Sequence, residues 1–140
     1  MAQRVTRTAS FDLSLDPDRA IELFTAEGER SWIPGWEPEY PEDRAIHDAV
    51  GTVFIRRDPA GDQTFVVIAN EPLLRRYTRH TEGFTTGIIE VSCEPFGSGT
   101  RVTVTFDMTA LSAEGAAWLD ELDADYEGTL RQWRDWIEPE

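Results

Sequence analysis

The chain has 140 residues, of which 40% are hydrophobic and 29% charged, and a formal net charge of −14. Affinity for nucleic acid comes mainly from Lys and Arg neutralising phosphates, so this charge excludes nucleic acid and anionic membrane surfaces as expected partners. The length suits one globular domain over residues 1–140, able to bury roughly 68–70% of the surface its unfolded chain exposes.

All 13 basic residues are Arg. Two readings stand for the absence of Lys: coding bias in a GC-rich genome, or an acidic, Lys-poor surface adapted to high salt. Cys93 is the single cysteine, which rules out an internal disulfide and agrees with a reducing compartment. Met1 to Ser10 has no apolar stretch resembling a signal peptide. No window approaches the roughly 18 apolar residues that span a bilayer. The expected location is the cytoplasm, without membrane insertion.

The first element is a strand. Val5, Ala9, Phe11, Leu13 and Leu15 share one parity; Thr6, Thr8, Ser10, Asp12 and Ser14 share the other. Asp16-Pro17-Asp18 opens a helix, since Asp caps well and Pro suits the first helical position. Ala20, Ile21, Leu23 and Phe24 give it an apolar stripe, and a second short helix covers Ala26 to Trp32 before Pro34-Gly35. Segment 36–47, with Pro38 and Pro41, reads as an edge strand running into a loop.

Strand-like runs follow at 46–57, 63–70, 73–81, 85–94 and 100–110, separated by short turns rich in Gly, Pro, Asn and Asp. Links this short join antiparallel neighbours. Ser112 then caps a helix whose apolar positions Leu119, Leu122, Tyr126, Leu130, Trp133 and Ile137 recur every three or four residues. Read as one element of about 25 residues, it forms a rod of roughly 38 Å. The class is α+β.

This order of elements resembles the START/Bet v 1-like superfamily, also called SRPBCC and including polyketide cyclase-like proteins. The stretches Leu23-Phe24-Thr25-Ala26-Glu27-Gly28-Glu29-Arg30-Ser31-Trp32-Ile33-Pro34-Gly35-Trp36 and Thr109-Ala110-Leu111-Ser112-Ala113-Glu114-Gly115 are similar to uncharacterised bacterial members. The resemblance implies a helix-grip fold: a curved antiparallel sheet of six to seven strands, two short helices and one long C-terminal helix, with a cavity between sheet and helix. It implies binding of a small hydrophobic or aromatic molecule. The alternatives are a polyketide cyclase/aromatase-like enzyme or a chaperone-activator-like interaction domain, the latter expecting a filled core. The superfamily has no shared catalytic motif, so no catalytic residue is carried over.

The candidate ligand-binding residues are Trp36, Tyr40, Phe54, Tyr77, Arg79, Phe106 and Tyr126. Trp32, Trp36 and Tyr40 form either a lid over the pocket mouth or a satellite core. Tyr77 and Arg79 suit an acidic or carbonyl ligand group if they face inward. Otherwise Arg75, Arg76, Arg79 and Glu90 make a solvated charge ladder. Glu90 is a further inward candidate for acid–base chemistry, and Asp107 is expected outside. Trp133 is expected in the core, and Trp118 at the surface or at a dimer contact. His47, His80 and Cys93 match no common metal spacing and neither histidine marks a nucleophile's base, so no metal or cofactor is expected. A homodimer is compatible with a domain of this size.

Overall fold

A computed structural model describes residues 3–42 and 47–139. Six strands form one antiparallel sheet: β1 (Arg4–Leu13), β2 (Val53–Arg56), β3 (Gln63–Glu71), β4 (Leu74–Thr81), β5 (Thr85–Phe96) and β6 (Gly99–Ala110). Their order is β1-β6-β5-β4-β3-β2, a meander closed at one edge by the N-terminal strand. Helix α1 (Pro17–Glu22) and a 3₁₀ turn (Gly28–Ser31) lie between β1 and β2, and α2 (Ala113–Ala124) and α3 (Tyr126–Ile137) follow β6. The helices pack on one face of the sheet. The fold is α+β and of the helix-grip type.

The expected strand 46–57 shrinks to β2, and its first residue lies outside the described residues. The expected edge strand 36–47 is reduced to a single bridge between Glu39 and Ile55, while its residues 43–46 lie outside the described residues. Met1 and Ala2 of the N-terminal stretch lie outside them too. Pro38 and Pro41, which cannot donate to a ladder, flank that bridge and keep it from growing.

The C-terminal rod is two helices rather than one. Asp125 leaves the helical region at φ −144°, ψ 55°, ending α2 and capping α3 through its carboxylate, which accepts from the Gly128 N–H at 3.1 Å. A side chain at 128 would start 2.1 Å from that carboxylate and displace it, so glycine keeps the cap in place. Asp competes with the helix for its own backbone bonds, which explains the break at this residue. Arg7 clamps the joint: it donates to the Asp123 carbonyl at 3.1 Å and pairs with Asp123 and Glu127.

Alternation along β6 builds the main core. Val102, Val104, Phe106 and Met108 point inward against Ala20, Ile21, Phe24, Leu119 and Leu130, all buried. Cys93 belongs to this core, and burial pushes its thiol up to about 12, so it behaves as a small hydrophobe. A second, smaller cluster joins Ala26, Trp36, Phe54, Phe65, Val67 and Tyr77. Between the two clusters the concave sheet face is hollow.

Candidate functional site

The segment after α1 fixes one wall of that hollow. A helix end leaves carbonyls without intrahelical partners. Here three aromatic side chains take up carbonyls of this segment: Trp32 Nε1 donates to Leu23 O at 2.7 Å, Trp36 Nε1 donates to Ala26 O at 2.8 Å, and the Tyr77 hydroxyl donates to Phe24 O. Thr25 Oγ1 accepts from the Gly28 N–H at 2.9 Å. A Cβ on residue 28 would sit 1.8 Å from Glu22 O, so Gly28 alone permits the 3₁₀ turn to fold back on α1. This anchoring aims Glu29 into the hollow.

The cavity has a volume of about 330 Å³, at the small end of ligand sites. Phe24, Ile33, Pro34 and Trp36 line it from the α1 side. The sheet contributes Phe54, Phe65, Ile89, Val91 and Phe106, and α3 contributes Trp133 and Trp136. Phe54 stacks on Phe65 at 4.8 Å, with Trp36 edge-on to both. Four polar side chains face this aromatic lining: Glu29, Arg56, Tyr77 and Arg79.

Their state is unusual. The Arg79 Nε is buried without a hydrogen-bond partner, and its guanidinium lies over the Trp118 ring at 5.3 Å. Arg56 lies over the Trp36 ring at 5.7 Å. Among the described residues no ion pair within 4.0 Å reaches Glu29, Arg56 or Arg79, although most of the other arginines have one. Burial raises the Glu29 carboxyl to about 8, against the opposing pull of Arg79 and Arg56. Burial and the neighbouring Arg56 lower Arg79 to about 10, while Glu29 acts in the other direction.

Five of the seven candidates line the cavity: Trp36, Phe54, Tyr77, Arg79 and Phe106. Tyr40 does not. It stacks on His47 at 3.8 Å and donates its hydroxyl to Glu27, outside the cavity wall. Tyr126 does not either. It is fully buried over β6, where its hydroxyl donates to Val104 O at 2.7 Å and its ring meets Phe106 edge-on. The main core claims it, and Trp133, two turns on, reaches the cavity instead. Trp32 and Trp36 are locked by their indole hydrogen bonds, which favours packing over a mobile lid.

Glu90 points to the outer face and pairs with Arg76, its cross-strand partner, so it is no inward acid. Only that pair survives from the supposed charge ladder. Arg75 and Arg79 both turn inward. Asp107 is outside as expected, bound to Arg4 and Thr6. Trp118 is half-buried, packed on Phe84 and beneath Arg79.

Sequence reasoning missed Glu29, Arg56 and Trp136. Arg56 shares parity with Phe54, and Trp136 follows Trp133 by three, so both were findable from periodicity. Glu29 carried no such signal within Glu27-Gly28-Glu29-Arg30.

Solved structures with the same architecture agree with this geometry. The Aha1 dimer from Colwellia psychrerythraea matches with a TM-score of 0.68 at 16% identity, covering 96% of this chain and 97% of that one. Ara h 8.0201 matches with a TM-score of 0.66 at 17% identity, covering 94% of each. Norcoclaurine synthase from Thalictrum flavum matches with a TM-score of 0.67 at 13% identity, covering 97% of this chain and 85% of that one. No protein-family model matches the sequence, and no curated protein matches it. The chain therefore has the START/Bet v 1-like helix-grip fold. Among the described residues no helix is long and apolar enough to cross a membrane.

Proposed function

We propose that this protein binds a small, largely aromatic molecule carrying one acidic or strongly polar group, held between the sheet and α3. The observation that carries the reading is Arg79, a cation without an ion-pair partner among the described residues, facing a cavity of about 330 Å³ walled mainly by aromatic and aliphatic side chains. Burying a charged group without a partner is costly, so a site that keeps one is suited to a ligand that supplies it. The apolar walls provide affinity, and a guanidinium fork provides orientation toward a carboxylate, phenolate or carbonyl. The hollow also favours this reading over a protein-interaction domain, which would have a filled core. The comparison with norcoclaurine synthase and Ara h 8.0201 supports it at the level of fold alone. A homodimer is compatible with the reading, as in the Aha1 dimer.

The test uses intrinsic tryptophan fluorescence, since Trp36, Trp133 and Trp136 border the cavity. Naphthalene and 1-naphthoate should both quench the wild type, with the acid bound more tightly. In Arg79→Ala the acid should lose its advantage, on the order of tenfold or more, while naphthalene is held as before. Loss of both ligands to the same degree would remove the role given to Arg79, and binding of neither by the wild type would remove the ligand site.

A further inference from the structure

Three elements deliver three chargeable groups to one small cavity: Glu29 from the 3₁₀ turn, Arg56 from the end of β2 and Arg79 from β4. They sense one another through space, because Arg79 and Arg56 both act on Glu29 and Glu29 acts on Arg79. A molecule that merely needed a solvent for its aromatic ring would require none of them. One that needed an anion anchor would require a single arginine. Two guanidiniums and a carboxyl match a different demand, in which negative charge doubles while a proton moves.

We infer that Glu29, Arg56 and Arg79 form a proton-transfer site for a small aromatic α-keto acid, interconverting its keto and enol forms. One guanidinium holds the substrate carboxylate and the other faces the keto oxygen. The Glu29 carboxylate removes the proton from the carbon next to the carbonyl. The C–H electron pair becomes the new C=C bond, and the carbonyl π pair moves onto oxygen, opposite the second guanidinium. The protonated Glu29 then delivers that proton to the oxygen, giving the enol, or back to the carbon. Atoms and charge balance, and no co-reactant enters. The intermediate carries two negative charges, carboxylate and enolate, and the cavity offers two cations with no ion-pair partner among the described residues to meet them. The aromatic walls take the ring and exclude water, which strengthens both pairings.

The charged and titratable groups facing Glu29 are Arg56 on β2 and Arg79 and Tyr77 on β4. The Tyr77 hydroxyl is occupied by the Phe24 carbonyl, which leaves Glu29 as the proton carrier. Burial keeps the Glu29 carboxyl near neutrality in its titration, where an acid–base catalyst is most effective.

The inference rests on the cavity accepting a ligand, and the experiment separates the two ideas. The probe is phenylpyruvate in D₂O with the purified full chain, followed by the loss of its benzylic proton NMR signal, with tryptophan quenching measured in parallel. The wild type should accelerate exchange on the order of 10²-fold or more over buffer, the range expected of one positioned acid–base group. The rate should rise as pH increases toward about 8, where the carboxylate form of Glu29 accumulates. Glu29→Gln, nearly isosteric, should bind phenylpyruvate within a few-fold of the wild type and lose the acceleration. Binding without acceleration in the wild type overturns the inference, as does full acceleration by Glu29→Gln. Binding of naphthalene but not phenylpyruvate overturns it while leaving the cavity a ligand site. Binding of neither overturns both.

Discussion

Two arginines on the inner face of β4, four residues apart, live in opposite surroundings. Arg75 is buried and satisfied: it pairs with Asp48 at 3.0 Å and Glu22 at 3.2 Å, and donates to the carbonyls of Glu71 at 2.6 Å and Leu74 at 3.1 Å. Arg79 has an aromatic ring beside it and a cavity in front of it. The same residue type on the same strand thus serves as a structural rivet at one end and as an open valence at the other. The contrast teaches that burial of charge alone does not mark a site. What marks it is burial without partners, next to space.

Of the two arginines, the larger effect on stability should come from the satisfied one. Arg75→Ala leaves Asp48 with Asn70 alone among the described residues and takes a donor from two carbonyls, and should destabilise the fold by about 3 kcal/mol, the scale for breaking a buried ion pair from one side. Urea unfolding measures it, and a loss under about 1 kcal/mol would mean that Arg75 is as dispensable as an exposed pair.

A pH effect is expected at the open end. Glu29 titrates near 8 in the fold against 4.5 in the unfolded chain, so the folded state holds its proton more tightly. Its contribution is therefore fully present below about 4.5 and is lost as pH rises through about 8. Glu29→Gln should leave acid stability unchanged and gain on the wild type as pH increases. Parallel stability curves for the two proteins would show that Glu29 is solvated.

The smallest effect has the opposite sign to the first. Arg79→Met keeps the bulk, removes a partly buried charge whose Nε has no hydrogen-bond partner, and should raise stability on the order of 1 kcal/mol while weakening acid binding. A destabilised Arg79→Met would make the two ends of β4 alike.

The legible parts of the sequence were those where one physical demand acts alone. β6 alternates without exception because its inner face is buried along its whole length, with Phe106 alone bordering the cavity, and the turn residues between strands left no other place for the chain to reverse. The inner face of β4 was ambiguous because Arg75, Tyr77 and Arg79 are as polar as Arg76, Thr78 and His80 outside, so pairing and cavity override hydrophobic parity. The helix break was hidden for a related reason. The apolar stripe continues from Leu122 to Tyr126 and Leu130 across Asp125, and only the cap geometry reveals the interruption. Glu29 depends on a fold-back that Gly28 allows but does not announce.

The joint at Asp125 also sets how the molecule comes apart. Cooperative helix stability passes along a continuous hydrogen-bond ladder, and a helix of 12 residues such as α3 is marginal without its packing. Fraying that begins at its C-terminal end meets the break at Asp125 before α2, which Gln3 holds at Asp120 and which Arg7 ties, together with Glu127 of α3, to β1. The latch at the other end is Glu138, whose carboxylate accepts from the Ser14 N–H at 3.0 Å. The turns of α3 beyond the buried Leu130 carry Trp133 and Trp136, and a helix end of this kind opens at lower free energy than the core that holds Tyr126 and Leu130. The wall of the cavity is thus its least anchored part, lost at the energetic scale of a helix end rather than of the whole domain.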